Sequence, residues 1–257
     1  MAVRVEVEDG LCTITIDRPE KHNAMDAEHY AMLSRAWERV RDDNEIQAAI
    51  ITGAGERTFT AGADLKSLEK VFSTVSDMWL TQKDQILNRG LEIWKPVISA
   101  VNGDCFAGGM TLLMATDIRV TVDTATFGIT EVKRGLLAAN GGTQRPLRQL
   151  PYAIAMEMLL TGDSISAQDA HRWGLVNAVV KRDELLSTAK NYARRILSNG
   201  PLAVQATKEL AIRSMDMNMA DGLRMEQIVI RHLLKTEDAA EGRKAFAERR
   251  APVFQGR

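Results

Sequence analysis

Pro96-Val97-Ile98-Ser99-Ala100-Val101-Asn102-Gly103, followed by Asp104-Cys105-Phe106-Ala107-Gly108-Gly109-Met110, is the stretch on which the fold turns. Val97 to Val101 carry small or apolar side chains without alternation, as a strand covered on both faces does. Pro96 sets a helix end near Trp94 and the strand start after it. The glycines lead into another helix, Thr111 to Ala115, and residues 118–122 read as the next strand. The same order stands upstream, where Asp26 caps a helix with Tyr30, Leu33, Trp37 and Val40 at steps of three and four. Ala48-Ala49-Ile50-Ile51-Thr52 follows as a buried strand. Before it, Val3, Val5 and Val7 and then residues 11–16 form two strands joined at Asp9-Gly10, a hairpin signal. Repeated strand–helix units imply right-handed crossovers and an α/β core.

From about Thr143 the pattern becomes nearly all helical. Ala153, Met156, Leu159 and Leu160 make one stripe, Ser166 opens a capping box with Asp169, and Gly174 ends that helix. A short strand at 175–180 is the last extended segment. Helices are expected at about 183–198, 202–215, 219–234 and 239–250. Met215, Met217, Met219 and Met225 read as adaptable packing or subunit interface in preference to a cofactor contact. The core is expected to span residues 1–199, with a helical oligomerisation region at 200–257.

The 257 residues are 45% hydrophobic, enough for a sizeable core. The 33 basic and 34 acidic residues are mixed and leave a net charge of −1, a poor match for nucleic acid or an anionic membrane. Cys12 and Cys105 lack a CxxC pattern, so neither a disulfide framework nor a metal site is expected. The N-terminus reads as an edge strand without a leader segment. No run approaches the roughly 18 apolar residues of a membrane span. The expectation is a cytoplasmic enzyme.

Nucleophile elbow, Walker loop and HExxH are all absent, and Gly53-Ala54-Gly55 runs into Glu56-Arg57-Thr58 without a dinucleotide fingerprint's last glycine. His22, His29, His171 and His232 are scattered and read as surface or packing residues. Two small-residue turns remain, Thr60-Ala61-Gly62-Ala63-Asp64-Leu65 and Phe106-Ala107-Gly108-Gly109, each after a buried strand and before a helical segment. Free N–H groups at such helix starts attract anions, and small side chains admit a ligand to the backbone. Converging, the two turns would form an oxyanion hole. On chemistry alone they read equally well as tight turns packing helix on strand.

Arg18-Pro19-Glu20-Lys21-His22-Asn23-Ala24-Met25, the Ala-Gly-Ala-Asp-Leu turn and the Pro96–Gly103 block resemble the crotonase (enoyl-CoA hydratase/isomerase) superfamily. So do Phe127-Gly128-Ile129-Thr130-Glu131, Gly141-Gly142-Thr143-Gln144-Arg145, Trp173-Gly174-Leu175-Val176-Asn177 and Glu241-Gly242-Arg243-Lys244-Ala245-Phe246, in family order. The resemblance implies a crotonase-like spiral of ββα units with a C-terminal helical trimerisation region. It also implies homotrimers or hexamers, an acyl-CoA substrate, and no cofactor besides the coenzyme A that the substrate carries.

Transferred by position, the oxyanion N–H groups fall on Ala63 and Gly108. The first of the hydratases' two glutamates falls on Thr111, the second on Glu131. Ala61, Asp64, Leu65, Thr111 and Asn140 are expected beside the substrate, and Lys21, Lys66 and Arg249 near the nucleotide. Threonine cannot take a proton from water near neutral pH. One carboxylate suffices for double-bond isomerisation, and hydration with Glu131 alone stays open. So do hydroxycinnamoyl-CoA hydratase-lyase chemistry and non-catalytic acyl-CoA binding. An RNA-binding helix bearing Lys181, Arg182, Lys190, Arg194 and Arg195 is the remote alternative. Pocket walls are expected from residues 68–89 and the C-terminal helices.

Overall fold

The computed structural model describes residues 2–67 and 85–257. Two sheets organise it. Strands β1 (Val3–Glu8), β2 (Leu11–Ile16), β3 (Ala48–Gly53), β5 (Val97–Val101), β7 (Ile118–Val122) and β10 (Ala178–Val180) form the larger, ordered β1-β2-β3-β5-β7-β10. β1 and β2 are an antiparallel hairpin, and every later pairing is parallel. The hairpin turns at Asp9 and Gly10, whose φ values of 48° and 79° are both left-handed, as a two-residue turn requires. Every residue of β3 and β5 is buried, which their unbroken apolar runs demanded.

The second sheet joins three-residue strands: β4 (Thr58–Thr60), β6 (Asp104–Phe106), β8 (Thr126–Gly128) and β9 (Ser164–Ser166). Sequence periodicity does not reveal it. The chain passes from the larger sheet to the smaller as β3 to β4, β5 to β6 and β7 to β8, so each turn of the spiral contributes one strand to both. β4, β6 and β8 pair in parallel, and their carboxyl ends point to one edge. Whatever follows Thr60, Phe106 and Gly128 is therefore gathered in one place.

Helix α1 (Ala27–Asp42) is capped by Asp26, whose side chain accepts from the His29 N–H, and it buries Leu33, Trp37 and Val40. Ser166 caps Ala167–Arg172 as expected, its hydroxyl accepting from the Asp169 N–H at 3.1 Å and donating to the Asp169 carboxylate at 2.9 Å. Leu185–Leu197 buries Leu185, Ala189 and Ala193 against β3, β5 and β7. The helix expected to end near Trp94 is, where described, a single 3₁₀ turn, Leu87–Arg89, closed by left-handed Gly90. Its apolar positions Leu91 and Ile93 enter the core from non-helical backbone. Residues 68–84 of the expected pocket wall lie outside the described residues.

The C-terminal helices Pro201–Arg213 and Met219–Leu233 bury no residue within one chain. Met219 is 77% exposed and Phe246 87%. Among the described residues, no helix is long and apolar enough to cross a membrane.

Candidate active site

The Arg18–Met25 loop clamps the turn after β4 through its backbone. The Ala61 N–H donates to the His22 carbonyl at 3.1 Å, the Gly62 N–H to the Thr60 hydroxyl at 3.1 Å, and the Asp64 N–H to the Met25 carbonyl at 2.8 Å. The Gly62 carbonyl accepts from the Met25 N–H at 2.8 Å. Of these four consecutive N–H groups, only Ala63's has no acceptor among the described residues. Asn23 anchors the clamp: its buried amide donates to the Thr58 carbonyl at 2.7 Å and accepts from the Arg18 N–H at 2.9 Å. The Asp64 carboxylate takes the Arg18 guanidinium at 3.1 Å and the Lys66 N–H at 3.1 Å. Asp64 thus holds the turn's shape.

The second turn follows β6. Ala107 adopts φ 50° and ψ −119°, a conformation that side chains resist, and its N–H donates to the Gly128 carbonyl at 2.9 Å. Helix α2 (Gly108–Leu113) starts there, three residues ahead of the expected Thr111. As its first residue, Gly108 has no intrahelical acceptor for its N–H. The two turns meet backbone to backbone: a Cβ built on Gly108 would lie 3.0 Å from Gly62 Cα and 3.5 Å from Ala63 N. The two expected oxyanion donors therefore stand side by side.

Glu131 opens the 3₁₀ turn Glu131–Arg134 just beyond β8. Its Oε2 is buried without a hydrogen-bond partner. Burial pushes its carboxyl above the ordinary carboxylate value, against smaller opposing contributions from its own backbone N–H and Arg134. A half-buried, under-bonded carboxylate of raised basicity is suited to carrying a proton.

Thr111 is buried within α2. Its hydroxyl donates to the Gly108 carbonyl at 2.9 Å and accepts from the Asn88 amide at 2.8 Å, so its proton is committed to the second turn's backbone. Asn88 Oδ1 is buried and unpaired. The sequence carried no signal for Asn88.

A cavity of about 580 Å³ joins these parts. Ala61, Ala63, Leu65, Gly108, Thr111 and Glu131 line it, and so does Asn140, in left-handed conformation at φ 54°. Asp64, Lys21, Lys66 and Arg249 are not among its walls; the last three are exposed outside it. Tyr30, Lys133 and Arg134 also line it and were not anticipated. Arg134 was findable, since a residue three past Glu131 shares its face of a 3₁₀ turn. Of the cations expected on the RNA-binding helix, Lys181 and Arg182 precede Leu185–Leu197, the first pairing with Asp123 and the second donating to the Asn102 carbonyl at 2.7 Å, while Arg195 lies 5.4 Å from the Tyr192 ring. Among the described residues, no group of three or more His, Cys, Asp or Glu is placed to hold a metal.

Over its whole length the chain is similar to known proteins. The family model described as "Enoyl-CoA hydratase/isomerase" matches residues 6–257. The chain is 43% identical over 256 residues to (E)-benzylidenesuccinyl-CoA hydratase of Thauera aromatica, covering 100% of both. It is 41% identical over 248 residues to carnitinyl-CoA dehydratase of Salmonella typhi, covering 95% of this chain and 94% of that protein. The crystal structure of enoyl-CoA hydratase from Mycobacterium tuberculosis H37Rv superposes with a TM-score of 0.90 at 38% identity, covering 100% of this chain and 99% of that one.

Proposed function

This chain belongs to the enoyl-CoA hydratase/isomerase family, and on that premise we propose that it reversibly adds water to a 2-enoyl-CoA thioester with Glu131 as the sole catalytic carboxylate. One observation carries the reading: the unpaired, buried Oε2 of Glu131 shares a cavity with the turns that bear the Ala63 and Gly108 N–H groups. The thioester oxygen accepts from both N–H groups, each worth about 10²–10³ in rate as charge develops on that oxygen. Glu131 removes one proton from water as its oxygen bonds to Cβ, and the alkene pair moves into the enolate. The carboxyl then returns that proton to Cα, the carbonyl reforms, and Glu131 is again ionised. The sum is H and OH across the double bond, with no cofactor consumed. Two relatives named a hydratase and a dehydratase support water as the second reactant.

Isomerisation is the second reading, favoured by Thr111. With its proton on the Gly108 carbonyl, the Thr111 hydroxyl offers a water only an acceptor. The same Glu131 then carries a proton between Cα and Cγ without any water.

In the same reading Lys21, Lys66 and Arg249 contact the nucleotide of coenzyme A, and Ala61, Leu65 and Asn140 the thioester end. The exposed faces of the helices after residue 200 pair between subunits in a trimer or hexamer, and the enzyme works in the cytoplasm. A panel of 2-enoyl-, 3-enoyl- and hydroxycinnamoyl-CoA thioesters tests the reaction. Glu131→Gln should lower the dominant activity about 10²- to 10⁴-fold while thioester binding persists. Turnover unaffected by that change overturns the assignment. Binding without turnover of any panel member would make the protein a thioester carrier.

A further inference from the structure

We infer that Arg134 recognises a carboxylate on the acyl group, so that the substrate is the thioester of a short dicarboxylic acid. This rests on the reading of Glu131 as the proton carrier. Glu131 and Arg134 are the first and last residues of a single 3₁₀ turn, in which positions i and i+3 eclipse. Both line the same cavity. The turn therefore presents a proton carrier and a guanidinium on one face, roughly 6 Å apart along its axis.

Among the described residues, Arg134 is in salt-bridge contact with no carboxylate; it acts on Glu131 only from beyond that range. Its guanidinium makes one long contact, NH1 to the Thr130 carbonyl at 3.4 Å. The adjacent Lys133, by contrast, is paired with the Asp163 carboxylate at 2.7 Å. Leu136, Leu137 and Ala139 give the same cavity apolar lining. The charge of Arg134 tempers the Glu131 carboxyl, but the guanidinium itself neither gives nor takes the proton. It fits an anion, and its planar fork matches a carboxylate at two points.

Coenzyme A brings anions too, but the pantetheine arm holds its phosphates far from the thioester. The group that reaches Arg134 from a thioester held at Ala63 and Gly108 is instead an acyl substituent a few bonds from the reacting carbons.

The test uses two 2-enoyl-CoA thioesters of equal length, one ending in a carboxylate and the other in a primary amide. The wild-type enzyme should favour the carboxylate by about ten- to a hundred-fold in kcat/KM. Arg134→Gln should bring that ratio within about threefold, and Arg134→Lys should restore part of it. The saturated analogues of both thioesters, titrated calorimetrically, should show the same order in Kd. A wild-type ratio near one in kcat/KM and Kd overturns the inference. So does an equal loss for both thioesters in Arg134→Gln, and a matching loss of affinity for free coenzyme A would reassign the residue to the phosphates. Glu131-dependent conversion of the amide thioester with no preference between the two would sink the role of Arg134 and leave hydration standing. Absence of turnover with a preserved Kd preference would do the reverse.

Discussion

A methyl group on Gly62 would stand 2.5 Å from the backbone nitrogen of Gly108. Real Cβ atoms do not approach so closely, and Gly62 also holds φ at +85°. The two oxyanion turns can touch only because that side chain is missing. Gly62→Ala should therefore separate the donors and lower kcat by about 10²-fold or more, with a milder loss for Gly108→Ala, where the closest approach is 3.0 Å. Steady-state kinetics on both variants decides it, and a Gly62→Ala enzyme of normal kcat would show that the turns need not meet.

Glu131 should make the enzyme less stable than it could be. Burial raises its carboxyl pKa in the folded state, so the fold prefers the protonated form. That preference contributes fully below the unfolded value of about 4.3 and is lost as pH rises through the folded value. At pH 7 the ionised group opposes folding, so Glu131→Gln should raise Tm by about 2 °C while activity collapses. The gain should vanish near pH 4. Calorimetric scans at the two pH values check this, and an equal or larger gain at the lower pH would contradict the sign.

Thr111 and Asn88 should behave as a coupled pair. Thr111→Val removes the donor to the Gly108 carbonyl and strands the buried Asn88 amide, at a cost of about 1–3 kcal/mol. Asn88→Leu in the same background should cost less than it does alone, because its partner is already gone. Denaturant unfolding of the four proteins gives the coupling, and strict additivity would mean that the hydrogen bond contributes nothing to stability.

Both thiols should be inert in the folded protein. Burial pushes Cys12 up to about 11, and Cys105, fully buried, well above its ordinary value. A chromogenic disulfide reagent at pH 8 should react at the rate of unfolding, and two equivalents should appear only in denaturant. A fast stoichiometric reaction of the native protein would show one thiol to be reachable.

The legible part of this fold was the part with enough residues to show a period. Ala48–Gly53 and Val97–Val101 announce themselves as buried strands, and the β1–β2 hairpin as an alternating pair with Asp9-Gly10 between. Thr58–Thr60 and Asp104–Phe106 are too short to show alternation, so the sheet that assembles the site went unread. The helix expected to end near Trp94 is not formed at Leu91 and Ile93, which are buried from non-helical backbone. The small-residue turns were visible as turns. Which N–H in each stays unpaired is a tertiary matter, fixed at Ala63 by carbonyls of His22 and Met25 from some forty residues upstream.

In the proposed reaction the anion hole consists of main-chain atoms held by main-chain atoms, whereas the proton carrier is one side chain on a separate turn. On that proposal a single substitution could remove or relocate a carboxylate and leave the grip on the thioester intact. Such a scaffold can exchange one reaction for another in a few mutational steps without first losing its ligand, because what binds and what reacts are inherited on different strands.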